Sequence, residues 1–193
     1  MPWEKQFDVD EILDKAMRAF WSRGYEATSM QDLVNVTGIN RGSLYATYRD
    51  KHELFLSALR RYAGMIHHKR LADLASRYGP REAIRRVFLA FIPKASEEGG
   101  RRGCFLTNTA LELAPHDPDA GRIVAQAQQQ TEAHFERMIR KGQAEGEIAS
   151  HVDPVKAASA LLALLIGMSV LARSRPERSL LLAIVDEAVR RLD

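Results

Sequence analysis

Two short helical segments separated by one glycine occupy residues 28–48, and they constrain the fold more than any other part of this sequence. Ser29 and Asp32 have the spacing of a capping box at the start of the first segment. Gly38 can end that segment, because glycine adopts the left-handed conformation at little cost. Asn40 can then cap the second segment. Two short helices joined by so tight a turn are typical of a helix-turn-helix motif, whose second helix enters the DNA major groove.

The second segment carries side chains suited to reading DNA. Arg41 is its only long side chain with paired donors, which is the chemistry that recognises base edges in the major groove. Ser43 can donate to a base or a phosphate, and Gly42 lets the backbone approach closely. The predicted DNA-binding residues are Thr28, Ser29, Asn40, Arg41, Gly42, Ser43, Tyr45, Thr47 and Lys51, of which Tyr45, Thr47 and Lys51 suit phosphate oxygens. The alternative interpretation is the solvated surface of a small helical domain.

Residues 9–60 resemble the DNA-binding domain of the TetR family of bacterial transcriptional repressors. The resemblance lies in Gly24-Tyr25, in Thr28-Ser29-Met30-Gln31-Asp32-Leu33, in Gly38-Ile39-Asn40-Arg41-Gly42-Ser43-Leu44-Tyr45, and in Lys51, Leu54 and Phe55. Three positions depart from the family pattern. Asn40 replaces the usual serine, Thr47 replaces a tyrosine that often touches phosphate, and Tyr48 replaces a core phenylalanine. A threonine can still donate to phosphate, but with a shorter reach.

Composition is that of an ordinary globular chain. The 193 residues are 46% hydrophobic and 27% charged, which allows one or two domains with a sizeable core. The net charge is only +3, and residues 1–62 hold nine basic and nine acidic side chains. The positive charge at the helix-turn-helix is therefore local, at Arg41, Arg49 and Lys51.

Three features predict a cytoplasmic protein that does not enter a membrane. The single cysteine, Cys104, excludes an intrachain disulfide and suits a reducing compartment. The first eleven residues are acidic and lack an apolar core, unlike a signal peptide. The apolar run 157–172 is short for a bilayer, so it predicts a buried or interface helix.

The chain as a whole predicts an all-α fold of nine helices. Apolar residues recur at helical spacing, and no long stretch alternates as a strand would. Proline marks helix boundaries, as at Gly79-Pro80, Pro115 and Asp153-Pro154. The TetR resemblance implies a helix-turn-helix DNA-binding domain over residues 1–55 and a helical ligand-binding and dimerisation domain over residues 56–193.

The aromatic residues of the C-terminal part are most simply core, but the resemblance implies a small-molecule pocket there. Such a pocket is usually apolar with a few convergent polar groups. The predicted effector-binding residues are Phe88, Phe91, Cys104, Phe105, Asn108, Glu112 and Phe135. Cys104 has two interpretations, a redox or electrophile sensor and an inert buried thiol. The second is favoured, because sensing needs an accessible thiolate.

The last two predicted helices carry more apolar surface than one helical face needs. Residues 157–168 are apolar nearly all round, and another apolar stripe runs from Leu180 to Leu192. The TetR resemblance implies that two chains pair these helices in a two-fold four-helix bundle. The predicted dimerisation residues are Leu161, Leu165, Met168, Leu181 and Val185. The alternative is a core formed within one chain.

These features together predict a ligand-responsive transcriptional regulator, a repressor that binds a palindromic operator as a homodimer. The expected partners are double-stranded DNA, a small-molecule effector and a second copy of the chain. The alternative from another class is a helical small-molecule-binding or scaffold protein that does not bind DNA. No enzyme, cofactor or metal site is predicted, because no catalytic constellation can be read and the histidines lack metal-ligand spacing.

Overall fold

The computed structural model describes residues 8–92 and 102–193, and every regular element within them is helical. The N-terminal helices are α1 (Val9–Arg23), α2 (Met30–Thr37), α3 (Arg41–Tyr48) and α4 (Lys51–Arg61). A π-helical segment (Tyr62–His68) follows, and then α5 (Lys69–Arg77), α6 (Pro80–Leu89), α7 (Phe105–Glu112), α8 (Pro118–Ala144), α9 (Pro154–Ser174) and α10 (Arg178–Arg190). The all-α prediction is confirmed.

A single rod is formed by α4, the π segment and α5, because backbone hydrogen bonds continue across both junctions. The N–H of Tyr62 donates to Ala58 and Leu59, and the N–H of Lys69 donates to Gly64 and Ile66. With this rod taken as one helix, the described residues contain nine helices, as expected. The sequence did not predict the π turns, which are rare and often lie at functional sites.

The helix-turn-helix is held by an apolar core and by helix caps. The central side chains are almost completely buried, namely Phe20, Leu33, Leu44 and Phe55. Ser29 and Asp32 form the predicted capping box of α2, and Gly38 ends α2 with φ +77°. Local sequence signals therefore set the length of α2 and the turn into α3.

A charged contact fastens the end of α4 to α1. The Arg61 Nε atom lies 2.6 Å from Asp14 Oδ1, and Nη2 lies 3.0 Å from Asp14 Oδ2, which is a two-pronged guanidinium–carboxylate pair. This hydrogen bonding outweighs partial burial and lowers the pKa of Asp14. The pair fixes α1 against the rod just before the π segment begins.

The C-terminal part is built around α8 and α9, with α6 and α10 packed on them. Its core contains the stacked rings of Phe88 and Phe135, whose centroids are 6.1 Å apart. A second cluster, around Phe20 and Phe55, continues into α7 through Phe105, whose ring meets that of Phe55 edge-on at 5.6 Å. The predicted boundary between residues 55 and 56 falls inside α4, and this shared cluster crosses it, so the boundary stays a prediction.

Candidate functional site

The start of α3 is set by Asn40, whose side chain serves the helix itself. Asn40 Oδ1 accepts the N–H of Ser43 at 2.8 Å, so the residue is a helix cap with its amide nitrogen left exposed. Gly42 is exposed on the first turn, and a Cβ there would lie 3.3 Å from Asn40 Oδ1. Neither Asn40 nor Gly42 therefore places a large side chain on the outer side of the first turn of α3.

Arg41 and Tyr45 form a pair on the exposed face of α3. The Arg41 Cζ atom lies 5.7 Å from the Tyr45 ring centroid, and Nη2 lies 3.5 Å from the Tyr45 hydroxyl. The two residues stand one turn apart, which places their side chains on the same helix face. Tyr45 remains 39% exposed, so both the guanidinium and the phenol are available to a ligand outside the protein.

Thr47 and Ser43 are less available than the sequence suggested. The Thr47 hydroxyl donates to the Ser43 carbonyl at 2.9 Å, so its single hydrogen is used within α3. Both residues are half-buried. A phosphate needs donors, so in this arrangement Thr47 can only offer lone pairs and does not replace the longer tyrosine of the family pattern.

Lys51 stands in the first turn of α4, beside the end of α3. Its ammonium lies 4.2 Å from the centroid of the Tyr25 ring, a cation–π contact that orients the side chain. Arg49 makes the turn between α3 and α4 with φ +63°, a conformation that only a few per cent of non-glycine residues adopt. This turn brings the N-terminus of α4, with its unpaired N–H groups, next to α3.

The assignment of Thr28 to DNA binding is revised. Thr28 is completely buried, and its hydroxyl donates to the Gly24 carbonyl at 2.6 Å, which closes the loop between α1 and α2. Ser29 is exposed, but its hydroxyl serves the capping box of α2. Thr28 is therefore structural, and the candidates at this surface centre on the exposed Arg41 and Tyr45 and the half-buried Lys51.

A partly open cavity of about 30 Å³ lies between the π segment, α7, α8 and α9. Its wall is mainly apolar with a few polar side chains, and it is formed by His67, Phe91, Cys104, Leu106, Thr107, Ala127, Gln128, Thr131, Leu162, Leu165, Ile166 and Ser169. Two hydrogen-bonded pairs belong to this wall. His67 Nε2 lies 2.7 Å from Thr131 Oγ1, and Ser169 Oγ lies 3.0 Å from Thr107 Oγ1, within hydrogen-bonding distance.

The cavity contains only two of the seven predicted effector-binding residues, Phe91 and Cys104. Phe88 and Phe135 pack on each other inside the C-terminal core, and Phe105 packs on Phe55 and Tyr62. Asn108 donates to the Arg102 carbonyl at 2.9 Å, and Glu112 is exposed and accepts the N–H of Glu26. These five side chains do not line this cavity, and their contact with an effector stays a prediction. Helical spacing does not tell which inward face meets a cavity and which meets a close-packed core.

Among the cavity residues that the sequence reasoning missed are the polar side chains of His67, Thr131 and Ser169. His67 reaches the cavity because the π turns change the face on which it lies. The pattern of polar residues at helical spacing along α8 could have suggested Thr131, but no local signal pointed to Ser169.

The thiol of Cys104 is 5% exposed and lies against the π segment. The Tyr62 hydroxyl is 3.7 Å from its sulfur, within reach of a weak hydrogen bond. Burial, followed by the charge and hydrogen bond of Cys104, raises the pKa of Tyr62 well above its ordinary value. The Tyr62 phenol is therefore neutral and can donate its hydroxyl hydrogen to the Cys104 sulfur.

All five predicted dimerisation residues are buried within one chain: Leu161, Leu165, Met168, Leu181 and Val185. This revises their role, because they form the contact among the chain's own helices. The opposite face of α9 is exposed in the single chain and carries Val155, Ser159, Ala163, Gly167 and Val170. We call this set the outer face of α9. It follows the helical repeat of three to four residues along the whole helix.

Residues 8–92 and 102–193 contain no group of three His, Cys, Asp or Glu side chains placed to hold a metal ion. By length and composition α9 could cross a membrane, but core helices of soluble proteins pass the same test. Here α9 packs lengthwise on α8 and also contacts α10.

Known protein families account for both parts of the chain. Residues 12–58 match the family described as bacterial regulatory proteins, tetR family, and residues 80–184 match the tetracyclin repressor-like C-terminal domain. The chain is 33% identical over 187 residues to the HTH-type transcriptional repressor ComR of Escherichia coli (strain K12), covering 96% of this chain and 89% of that one.

Further similarities agree with that match. The uncharacterized HTH-type transcriptional regulator YezE of Bacillus subtilis (strain 168) is 34% identical over 144 residues, or 75% of this chain and 74% of that one. A solved cysteine mutant of the TetR family regulator CifR, complexed with a 26-base-pair operator, has 30% identity and a TM-score of 0.82. It covers 98% of this chain and 99% of that one.

The fold, the exposed helix α3 and these relatives define a helix-turn-helix transcriptional regulator rather than an enzyme. The chain belongs to the TetR family. The family and functional class predicted from the sequence are thereby confirmed.

Proposed function

We propose that this protein is a dimeric cytoplasmic repressor, which binds a palindromic operator and releases it when a small molecule occupies the cavity between the π segment and α9. The observation that carries the DNA-binding step is the exposed Arg41–Tyr45 pair on α3, next to the N-terminus of α4. The solved CifR structure supports it, since that similar protein is in complex with operator DNA.

Two side chains of the recognition helix α3 and one from the first turn of α4 would share the contacts with DNA. Arg41 supplies two parallel donors, which suit the acceptors of a guanine edge in the major groove. Tyr45 and Lys51 suit the phosphates on either side, together with the free N–H groups at the start of α4. Only the Arg41 contact carries sequence information, so specificity depends on one residue more than on the others.

A dimer would use the outer face of α9. Val155 is 53% exposed and Val170 is 38% exposed, which is unusual for large apolar side chains on a folded helix. Between them lie Ala163 and Gly167, and a Cβ at Gly167 would meet nothing within 4 Å. Small residues between larger apolar ones allow a second helix to approach closely. A two-fold axis through this face would give two copies of α3 and therefore an operator of two inverted half-sites.

The effector would occupy the cavity between the π segment and α9. At about 30 Å³ the cavity holds little more than a water molecule or two, so a ligand must enlarge it by moving the helices that form its wall. The His67–Thr131 and Thr107–Ser169 pairs could exchange their mutual hydrogen bonds for bonds to a polar group of the ligand. Linkage then requires that operator and effector weaken one another's binding by the same factor.

Fluorescence anisotropy with the chain's own promoter DNA tests the proposal. Binding should be tighter for the promoter duplex than for a scrambled duplex of the same composition. It should also weaken steeply between about 50 mM and about 200 mM salt, because phosphate contacts release counterions. Equal affinity for both duplexes, or no binding at low salt, would refute operator recognition and favour a helical small-molecule-binding protein.

A further inference from the structure

Two hydroxyl groups in the cavity wall use their hydrogens within their own helices. The Thr131 hydroxyl donates to the Ala127 carbonyl of α8 at 2.8 Å. The Ser169 hydroxyl donates to the Ile166 carbonyl of α9, also at 2.8 Å. Because a hydroxyl has one hydrogen and two lone pairs, both oxygens meet the rest of the wall as acceptors.

Each of these two oxygens contacts a donor from a neighbouring element. His67 Nε2 of the π segment lies 2.7 Å from Thr131 Oγ1, so the hydrogen in this contact belongs to the imidazole. The imidazole is neutral near pH 7, since burial lowers the pKa of His67 to about 4. Thr107 Oγ1 of α7 lies 3.0 Å from Ser169 Oγ. Among the residues that the structure describes, the Thr107 hydroxyl contacts no carbonyl, so by the same reasoning it donates to Ser169.

The His67 N–H and the Thr107 hydroxyl are the two donors that a ligand can take over with the smallest loss of hydrogen bonds. Each is bound to a hydroxyl oxygen, and that oxygen keeps its own bond to a helix carbonyl when the donor turns away. Thr131 and Ser169 would have to give up a helix carbonyl in order to donate. Gln128 also lines the cavity, but its amide both donates and accepts, so it favours neither kind of ligand.

The remainder of the described wall is mainly apolar. It includes Phe91, Leu106, Leu162, Leu165 and Ile166, and among the described residues no lysine, arginine, aspartate or glutamate lines it. An ionised group placed against these side chains would lose its hydration without gaining a partner of opposite charge, which is strongly unfavourable. The described wall therefore suits an uncharged molecule.

We infer that this cavity takes an uncharged, mainly apolar molecule through a hydrogen-bond acceptor, such as the carbonyl oxygen of a ketone or an ester, held by His67 and Thr107. This inference rests on the proposed function, since it names the chemical class of the effector in the same cavity. At about 30 Å³ the cavity is smaller than such a molecule, so binding displaces the wall around the two donors.

NMR titration of the full chain, free of DNA, tests the inference with 2-butanone, cyclohexanone and acetophenone. Ring correlations of the histidines should show the hydrogen of His67 on Nε2, and the ketone that binds best should shift this resonance. It should bind about tenfold or more tightly than cyclohexanecarboxylate and cyclohexylammonium, whose charges the described wall does not pair. A hydrogen on Nδ1 of His67, an ion that binds as tightly as the best ketone, or binding by none of the three ketones would overturn the inference.

Thr107→Val removes one of the two donors and keeps the shape of the side chain. It should weaken ketone binding about fivefold, the scale of one hydrogen bond. The control is Thr109→Val on the same helix, whose buried hydroxyl donates to the Phe105 carbonyl and lies outside the described cavity wall. It should leave ketone binding unchanged. Equal effects of the two variants would overturn the assignment of Thr107 as a donor to the ligand.

Thr131→Val should have the opposite effect. It removes the acceptor of the His67 N–H but not the N–H itself, so a ketone oxygen no longer competes with the Thr131 hydroxyl. Ketone binding should therefore become about fivefold tighter. Unchanged or weaker binding would mean that His67 is not the donor and would overturn the inference. The ketone titration and the position of the His67 hydrogen are measured on the wild type, so they decide the inference even if a variant does not fold.

Failure of the proposed function would be recognised separately. A wild type that does not bind its promoter duplex refutes operator recognition, whereas the ketone titration is made on the free protein and does not depend on DNA. Conversely, a wild type that binds its promoter, releases it in the presence of either ion and binds none of the ketones would overturn the inference and leave the proposed function intact.

Discussion

The imidazole of His67 lies 2.7 Å from the hydroxyl of Thr131, joining the π segment to α8 across the cavity. The Thr131 hydroxyl donates to the Ala127 carbonyl at 2.8 Å, so the hydrogen in the first contact belongs to Nε2 of His67. Burial, together with neighbouring positive groups, lowers the pKa of His67 to about 4 and that of His134 on α8 also to about 4. Both imidazoles are thus neutral in the folded protein near pH 7.

Mild acid should destabilise the protein through these two histidines. In the unfolded chain each imidazole has a pKa near 6.5, so between about pH 4 and pH 6.5 the unfolded state binds more protons than the folded state. The free energy of unfolding therefore decreases as the pH is lowered through this range. From about pH 7.5 to about pH 5 the loss should be about 2 kcal/mol per histidine, measured by urea unfolding. His134→Gln should flatten this dependence, whereas His116→Gln, at an exposed site, should not. An unchanged slope in His134→Gln would contradict the burial argument.

Arg41→Ala should weaken binding to the specific operator by about 1–3 kcal/mol, the usual size of a bidentate base contact. Affinity for scrambled DNA should change far less, and thermal stability should not change, because Arg41 is exposed. Anisotropy titrations with both duplexes measure the difference. Arg178→Ala, an exposed arginine on α10, is the control for the loss of one positive charge. Equal losses on both duplexes would mean that Arg41 contacts phosphate only.

Ala163→Glu should convert a dimer to a folded monomer, because a charge on the outer face of α9 would be buried without a partner at the interface. Leu161→Glu should instead unfold the chain, since Leu161 is completely buried within it. Sedimentation velocity and circular dichroism distinguish the two results. Ala72→Glu, at an exposed alanine of α5, should change neither property. A wild type that sediments as a monomer at micromolar concentration would refute the dimer.

Cys104 should behave as a buried thiol. Its reaction with a thiol reagent should be slower in the native protein than in urea by about a hundredfold or more, because opening of the local structure limits access. Cys104→Ser should leave folding and promoter binding unchanged. If that substitution abolished release of DNA by every small molecule that acts on the wild type, the thiol would be the sensor and the non-covalent cavity would not.

Local signals in the sequence were sufficient for the helix-turn-helix. Ser29, Asp32, Gly38 and Asn40 act within four residues of themselves, through caps and a left-handed turn, so their roles can be read without knowing the fold. The ends of α1 are also set locally, by the Asp8 cap before Val9 and by Gly24 after Arg23. The exposure of Arg41 and Tyr45 followed from the helical period about the anchor Leu44.

The tertiary structure alone decided which apolar faces meet which neighbours. Leu161 and Ala163 are two positions apart on one apolar helix, yet the first is buried against the chain's own helices and the second is exposed. Apolar residues occur nearly all around α9, so its sequence does not distinguish an inner face from an outer one. Which face of α9 is buried depends on how α8 and α10 pack against it, and that packing brings together residues far apart in the chain.

The cavity and the contact between the two parts of the chain also depend on distant residues. His67 and Thr131 are 64 residues apart and Glu26 and Glu112 are 86 apart, and each pair meets only when α4, α7 and α8 are assembled. Thr28 shows the reverse case, a residue placed in the DNA-binding set by its position in the motif but buried by the packing of α1. Sequence by itself determined the helices and the recognition surface, because these rest on interactions within one or two turns. The fold decided the cavity, the free face of α9 and the link between the two parts, because these rest on contacts among helices that the chain brings together only on folding.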